Sequence, residues 1–173
     1  PVAEMRRQAL AARAPVEEGP FRTTELVDVN ALDAGIRLDV RYATSRNFLG
    51  TPIYRSERAL LQRAAAEALV RVHRSLREHG YGLLVHDAYR PWWVTRLFWD
   101  ATPPDKRTFV ARPNRGSRHN RGAAVDLTLY RLADGGAVEM PGVYDEMSER
   151  SSPDYPGGTS LQRWHRDLLR RAM

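Results

Sequence analysis

A chain of 173 residues, 42% hydrophobic and 28% charged, is long enough to bury one sizeable core and suits a single domain with at most a short arm. With no cysteine, disulfides, thiolate nucleophiles and cysteine-bound metals are excluded, leaving histidines and carboxylates as the only strong metal ligands. The net charge is +6, but the arginines are scattered among acids and form no basic run, which argues against a nucleic-acid partner.

No stretch approaches the roughly 18 apolar residues of a membrane span, and no charged-then-apolar leader is visible. The first residue is Pro1, so the sequence does not choose between cytoplasm and periplasm, and it leaves the oligomeric state open. Residues 1–20, PVAEMRRQALAARAPVEEGP, carry weak helical periodicity and then a Pro/Glu/Gly stretch; they read as an arm or linker rather than core. ELVDV and GIRLDVRY alternate apolar residues of high β-propensity, which predicts two short strands. ATSRNFLGTPIY mixes turn formers with Phe48, Leu49, Ile53 and Tyr54, the composition of a loop that packs over something.

From Ser56 or Glu57 to His79 the pattern is the clearest helix. Leu61, Ala65, Ala68, Val72 and Leu76 recur every three or four residues, and Gly80 supplies a stop. His73 and His79 lie toward its C-terminal end, where the helix dipole favours them, and carry a structural reading. YGLLVHDAYRP reads as a buried strand ending before Pro91, with His86 as a core histidine; WWVTRLFWDA reads as a short aromatic helix. RTFVARPNRGSRHNRG is a long loop full of turn formers. GAAVDLTLYRL alternates strictly, with Val125, Leu127 and Leu129 on one face and Ala124, Asp126 and Thr128 on the other.

ADGGAVEM fits a hairpin turn at Asp134-Gly135-Gly136. Residues 141–158 form a Pro/Gly/Ser-rich loop, and TSLQRWHRDLLRRAM is a helix capped by Thr159 or Ser160. Strands and helices do not alternate regularly and nothing repeats, so the expected class is α+β, a mainly antiparallel central sheet packed with helices.

SRHNRGAAVDLT places His119 and Asp126 on either side of a turn at Arg121-Gly122. A histidine and a carboxylate converging across such a turn suit zinc, but the spacing alone fits an ordinary surface turn equally well. Residues 117–126 also match the S-x-H-x-x-G-x-A-x-D motif of the zinc D-alanyl-D-alanine peptidases. LDVRYATSRNFLGTPIY, ERALLQRAAAEAL, HDAYRP and YDEMSER stand in the same order as in the D-Ala-D-Ala dipeptidases, and the chain resembles that family from about residue 25 onward.

The resemblance implies a zinc D-Ala-D-Ala peptidase-like domain over residues 21–173 and Zn2+ as cofactor, with His119 and Asp126 as ligands. Arg90 matches the arginine that stabilises the developing oxyanion, and Ser117 and Asp145 match positions holding the substrate's carboxylate and amino ends. The implied activity is hydrolysis of the D-Ala-D-Ala dipeptide by a metal-bound water. Alternatives are a D,D-carboxypeptidase acting on peptidoglycan stem peptides and a non-catalytic relative that binds cell-wall peptide. Antibiotic resistance, wall recycling and D-Ala salvage are all open as roles. Each site residue also has a plain reading: Arg90 pairing with Asp87 to pin a turn, Ser117 as a turn residue, Asp145 as a cap.

The family's C-terminal Glu-x-x-His segment, which carries the general base and the third ligand, has no counterpart, since no Glu stands three residues before any His. His165 is the only histidine after Asp126, but Gln162 precedes it where the base would stand. With Leu161, Trp164, Leu168 and Ala172 forming one stripe of the helix, His165 falls on the flank and reads as a helix-surface residue. The expectation is a domain short of the family's pattern by about one strand, with two thirds of a zinc site.

Overall fold

In the computed structural model, which describes residues 1–173, α1 (Val2–Ala11) is followed by β1 (Leu26–Asp28), the one-turn α2 (Val29–Leu32), β2 (Arg37–Leu38) and β3 (Leu60–Gln62). The chain continues through α3 (Arg63–Arg77), β4 (Tyr81–Asp87), α4 (Trp92–Ala101), β5 (Asp126–Arg131) and α5 (Ser160–Ala172). β4 is the centre of a three-stranded sheet in the order β2-β4-β5, and β1 pairs with β3 in a separate ribbon. The β1–β3 and β4–β5 pairs are antiparallel, as expected of the α+β class. Only β2 and β4 run parallel; the long connection through β3 and α3 supplies the crossover that a parallel pair needs.

β4 is buried on both faces. Leu83 and Val85 join Leu129 of β5, Leu61 of β3 and Leu69 and Leu76 of α3 in the main core, and each such side chain stabilises the fold by about 1.5–3 kcal/mol. Gly82 faces Tyr130 across the ladder. The tyrosine ring lies where a Cβ on residue 82 would be, while its hydroxyl donates to the Gly35 carbonyl at 2.7 Å. Glycine is therefore required there by a close approach.

Five expectations need correction. Residues 57–62 are not the start of the long helix: Leu60–Gln62 are extended, with Leu61 opposite Val27 in the ribbon. Leu61 stands four residues before Ala65, so one apolar residue fits both a strand and the helical stripe. The buried face of α3 is Ala66, Leu69, Val70, His73 and Leu76, rotated from the stripe expected through Ala65, Ala68 and Val72. His73 is wholly buried and accepts a hydrogen bond from the Leu83 N–H at 3.2 Å, so it ties α3 to the sheet and does not serve the helix end.

The face of α5 is also rotated: Leu168 and Ala172 of the expected stripe meet the core, and the other two do not. Leu161 and Trp164 are 61% and 43% exposed, whereas His165 is only 5% exposed. The His165 nitrogens face the Tyr81 hydroxyl at 3.1 Å and the Glu139 carbonyl at 3.2 Å, so it is a core residue and not a helix-surface one. The N-cap is Thr159, paired reciprocally with Gln162.

Residues 1–20 contain more core than the arm reading allows. α1 packs on α4, and Ala9 is buried with Tyr42, Ile53, Val94, Leu97 and Phe98 in a second core. The loop over residues 43–56 covers this core through Phe48, Leu49, Ile53 and Tyr54. Asn47 holds it in shape by donating to the Arg41, Thr44 and Thr51 carbonyls.

Candidate metal and substrate site

The site forms where β4 ends. The β4–β5 ladder shifts register between Val85 and Asp87, which sets Asp87 opposite Asp126, the first residue of β5. A bulge of this kind re-aims side chains at the edge of a sheet. His119 arrives from a 3-10 turn, Arg118–Arg121, that ends at Gly122 in the left-handed conformation, φ 65°. The Gly122 and Ala123 N–H groups close the turn on the His119 and Arg118 carbonyls at 3.1 Å each, sending the chain back into β5. Glycine takes that conformation without strain. This is how a turn at Arg121-Gly122 brings His119 and Asp126 together.

Asn120 locks the turn to the end of β4. Its amide donates to the Arg90 carbonyl at 2.8 Å and to Thr95 Oγ1 at 2.9 Å, and its Oδ1 accepts from the Ser117 N–H at 2.7 Å. The Arg90 N–H donates in return to the His119 carbonyl at 3.0 Å. Ser117 Oγ, as N-cap, accepts from the His119 N–H at 3.2 Å. Arg90, Ser117 and His119 are thus held as one unit.

His119 Nδ1 lies 2.8 Å from the Ala88 carbonyl. A carbonyl only accepts, so Nδ1 carries a proton and Nε2 is the nitrogen turned toward the cleft. Nε2 faces Asp126 Oδ1 at 3.4 Å. A ring nitrogen and a carboxylate oxygen at this distance are held together by a positive charge between them, either a second proton on the ring or a metal ion. Zinc–nitrogen and zinc–oxygen bonds of about 2.0–2.2 Å at a tetrahedral angle separate two ligand atoms by about 3.4 Å, so this pair fits zinc.

Asp87, His119 and Asp126 each offer a ligand atom, and the three atoms lie within 4.8 Å of one another. Asp87 is nonetheless engaged at both oxygens. Oδ1 accepts from the Tyr54 hydroxyl and the Ala88 N–H, each at 2.9 Å, and Oδ2 accepts from Arg90 Nε at 2.9 Å. Its geometry is that of a clamp for Arg90. Sequence reasoning considered Asp87 only as a turn partner, and the β4–β5 bulge that puts it beside Asp126 leaves no mark in local composition.

Burial pushes the Asp126 carboxyl up, but His119 first and then Arg90 and Tyr144 outweigh it and hold the group below the usual carboxylate range. Asp87, more deeply buried, is raised despite Arg90, with the negative charge of Asp126 adding to the rise. Burial alone would weaken the Arg90 charge, but Asp87 and then Tyr42 and Asp126 more than compensate, so the guanidinium stays protonated. Its Cζ also lies 4.8 Å from the Phe98 ring centroid and 5.7 Å from that of Tyr42.

These groups open onto a cleft of about 830 Å³ that is lined by Arg90, Ser117, His119, Asp126 and Asp145, all five residues expected to form the site. Asp145 reaches it from the loop after β5, in the left-handed conformation at φ 60°. Its two oxygens accept from the Tyr42 hydroxyl at 2.8 and 2.9 Å. Burial, with the charge of Asp126 added and the Tyr42 hydrogen bond opposing, pushes its carboxyl up to about 6. His165 does not line the cleft. Sequence reasoning missed Tyr144, whose hydroxyl lies 3.4 Å from Asp126 Oδ2; within YDEMSER only Asp145 matched a site position.

The model of the D-Ala-D-Ala dipeptidase family matches residues 22–173. A D-alanyl-D-alanine dipeptidase of Escherichia coli (strain K12) is 35% identical over 151 residues, covering 87% of this chain and 77% of the relative. One of Streptomyces coelicolor is 36% identical over 164 residues, covering 83% of this chain and 81% of the relative. One of Enterococcus faecium is 35% identical over 157 residues, covering 80% and 78% respectively. No helix is long and apolar enough to cross a membrane.

Proposed function

The chain belongs to the D-Ala-D-Ala dipeptidase family, and we propose that it hydrolyses the D-Ala-D-Ala dipeptide with Zn2+ held by His119 and Asp126. The observation that carries this reading is the 3.4 Å approach of His119 Nε2 to Asp126 Oδ1, with Nδ1 occupied by the Ala88 carbonyl. Zinc at these ligands supplies Lewis acidity for the scissile carbonyl and activates a water at neutral pH.

The side chains supply the rest. Arg90 presents a fixed, charged guanidinium 3.3 Å from Asp126 Oδ2, on the cleft wall. It stabilises an oxyanion developing on the substrate more than it stabilises the neutral carbonyl, because its position is set before the reaction begins. A dipeptide is a zwitterion, so both ends need partners. Ser117 Oγ accepts from the His119 N–H through one of its two lone pairs, and its O–H is a donor for the substrate's carboxylate. Asp145, which also lines the cleft, offers a carboxylate to the ammonium end.

A second reading, removal of the terminal D-Ala from longer stem peptides, is favoured by the size of the cleft. At about 830 Å³ it lies in the range of sites for drug-sized ligands and exceeds what two alanines fill. The experiment is D-Ala release by the 173-residue chain, stripped with chelator and reloaded with one equivalent of zinc. Release from D-Ala-D-Ala but not from an N-acylated pentapeptide supports the dipeptidase; the reverse supports the carboxypeptidase. A chain that takes up zinc through His119 yet releases D-Ala from neither is a non-catalytic relative, and the proposal fails.

A further inference from the structure

Tyr144 donates toward Asp126 Oδ2 at 3.4 Å, and Arg90 Nη2 reaches the same oxygen at 3.3 Å. The other oxygen, Oδ1, is the one that faces His119 Nε2. The two donors therefore converge on one oxygen of this carboxylate and leave its second oxygen toward the histidine. We propose that Tyr144 is a positioning residue that, together with Arg90, reserves Asp126 Oδ2 and so presents Oδ1 as a single-oxygen ligand to the metal.

The tyrosine is well placed for this duty. Its ring packs at a tilt on His86, with centroids 4.7 Å apart, and meets the edge of Tyr42 at 6.0 Å. His86 is itself fixed by the Asp39 carbonyl, 3.1 Å from Nδ1. The ring is thus held from two sides while its hydroxyl reaches the cleft. A carboxylate oxygen only accepts, so the Tyr144 hydroxyl facing Asp126 Oδ2 is the donor of the pair. A donor on one oxygen of a carboxylate ligand restricts the group's rotation and the mode in which it binds metal.

The inference rests on the reading of His119 and Asp126 as a metal pair, and its test separates the two. Tyr144→Phe keeps the ring and its contacts with His86 and Tyr42 and removes only the hydroxyl. Zinc affinity is measured by chelator competition on the 173-residue chain for wild type, Tyr144→Phe and His119→Ala, and the metal-free melting temperature is recorded for each. The expected result is zinc affinity weakened by about 10-fold in Tyr144→Phe, with a metal-free melting temperature within a degree or so of wild type. Affinity within twofold of wild type, while His119→Ala loses binding, overturns the role of Tyr144 and leaves the metal pair standing. If His119→Ala binds zinc as wild type does, the metal pair itself is wrong and the inference falls with it. Tyr144→Leu, which loses ring and hydroxyl together, guards against reading a packing defect as a ligand effect; it lowers the metal-free melting temperature where Tyr144→Phe does not.

Discussion

Arg90 is clamped onto Asp87. Its Nε and Nη2 approach a single carboxylate oxygen at 2.9 and 2.8 Å, and the aspartate is only 1% exposed. The other Asp87 oxygen is held by Tyr54 and the Ala88 N–H, so the guanidinium is anchored by a group that is itself fully satisfied. Removing one partner of such a buried pair leaves an uncompensated charge, which costs about 3–5 kcal/mol. Asp87→Ala is therefore expected to lower unfolding stability by about that amount, read from the midpoint of a urea titration. A loss below about 1 kcal/mol would show that water or a rearranged neighbour satisfies Arg90, and the clamp would have to be abandoned.

The same clamp makes lysine a poor substitute for arginine. A lysine ammonium cannot span Asp87 and the cleft at once, because it lacks the planar fork that lets Nε hold the anchor while a terminal nitrogen faces Asp126. If Arg90 stabilises the oxyanion, Arg90→Lys lowers kcat on the order of 10²–10³ with KM little changed. An unchanged kcat with a raised KM would move Arg90 from the transition state to ground-state binding.

If Asp145 holds the substrate's ammonium end, it sets a pH limit on substrate binding. A carboxylate pushed up to about 6 must be ionised to hold an ammonium group, so the charged partner is present above that pH and is lost as pH falls through it. The groups facing it are Tyr42, Asp126, Arg90 and Asp87. Calorimetric binding of D-Ala-D-Ala to metal-free protein, where no hydrolysis competes, is expected to weaken about tenfold per pH unit below 6. Asparagine tolerates the left-handed backbone at this position, so Asp145→Asn keeps the loop and should bind weakly with no such limb. Retention of the limb in Asp145→Asn would assign it to another group.

How far the sequence reached depended on the range of each interaction. His119 and Asp126 were legible through the S-x-H-x-x-G-x-A-x-D motif that residues 117–126 match; their spacing across Gly122 permits the approach without singling the pair out. Arg90 and Ser117 were legible as members of ordered motifs. Asp87 as a neighbour of Asp126 was not, because their pairing depends on a register shift between two strands 39 positions apart in sequence. Tyr144 was hidden for the same reason: its target lies 18 residues away across an irregular loop.

The rotated face of α5 has a different cause. Leu161, Trp164, Leu168 and Ala172 and the set His165, Leu168 are both compatible with helical spacing, and only the tertiary partners Tyr81 and Glu139 choose between them. Burying histidine in place of tryptophan runs against hydropathy, but both ring nitrogens find partners, which offsets the cost of burial. The α3 boundary was misplaced because strand pairing with β1 competes with helix formation for Leu60–Gln62, and local propensity carries no information about β1.

His73 predicts an acid limit on stability. The ring is fully buried between α3 and β4, with Nδ1 accepting from the Leu83 N–H. Burial lowers its pKa, and the nearby Arg77 and Arg74 act in the same direction against Asp33. A histidine kept neutral in the folded state takes up its proton only when the chain unfolds. As pH falls through the unfolded value of about 6.5, the unfolded chain binds a proton that the folded chain refuses, and stability declines. His86 is lowered as well, chiefly by burial, and contributes with the same sign. Each such group changes stability by at most about 1.4 kcal/mol per pH unit. His73→Gln removes one of the two contributions while retaining a hydrogen-bond acceptor for Leu83. Thermal melts of metal-free protein between pH 7.5 and 5 should then show a shallower decline in the variant than in wild type, whatever the offset between them at pH 7.5. Parallel slopes would mean that His73 takes up its proton in the folded state at the same pH as in the unfolded chain, and that the hydrogen bond from Leu83 does not hold the ring neutral.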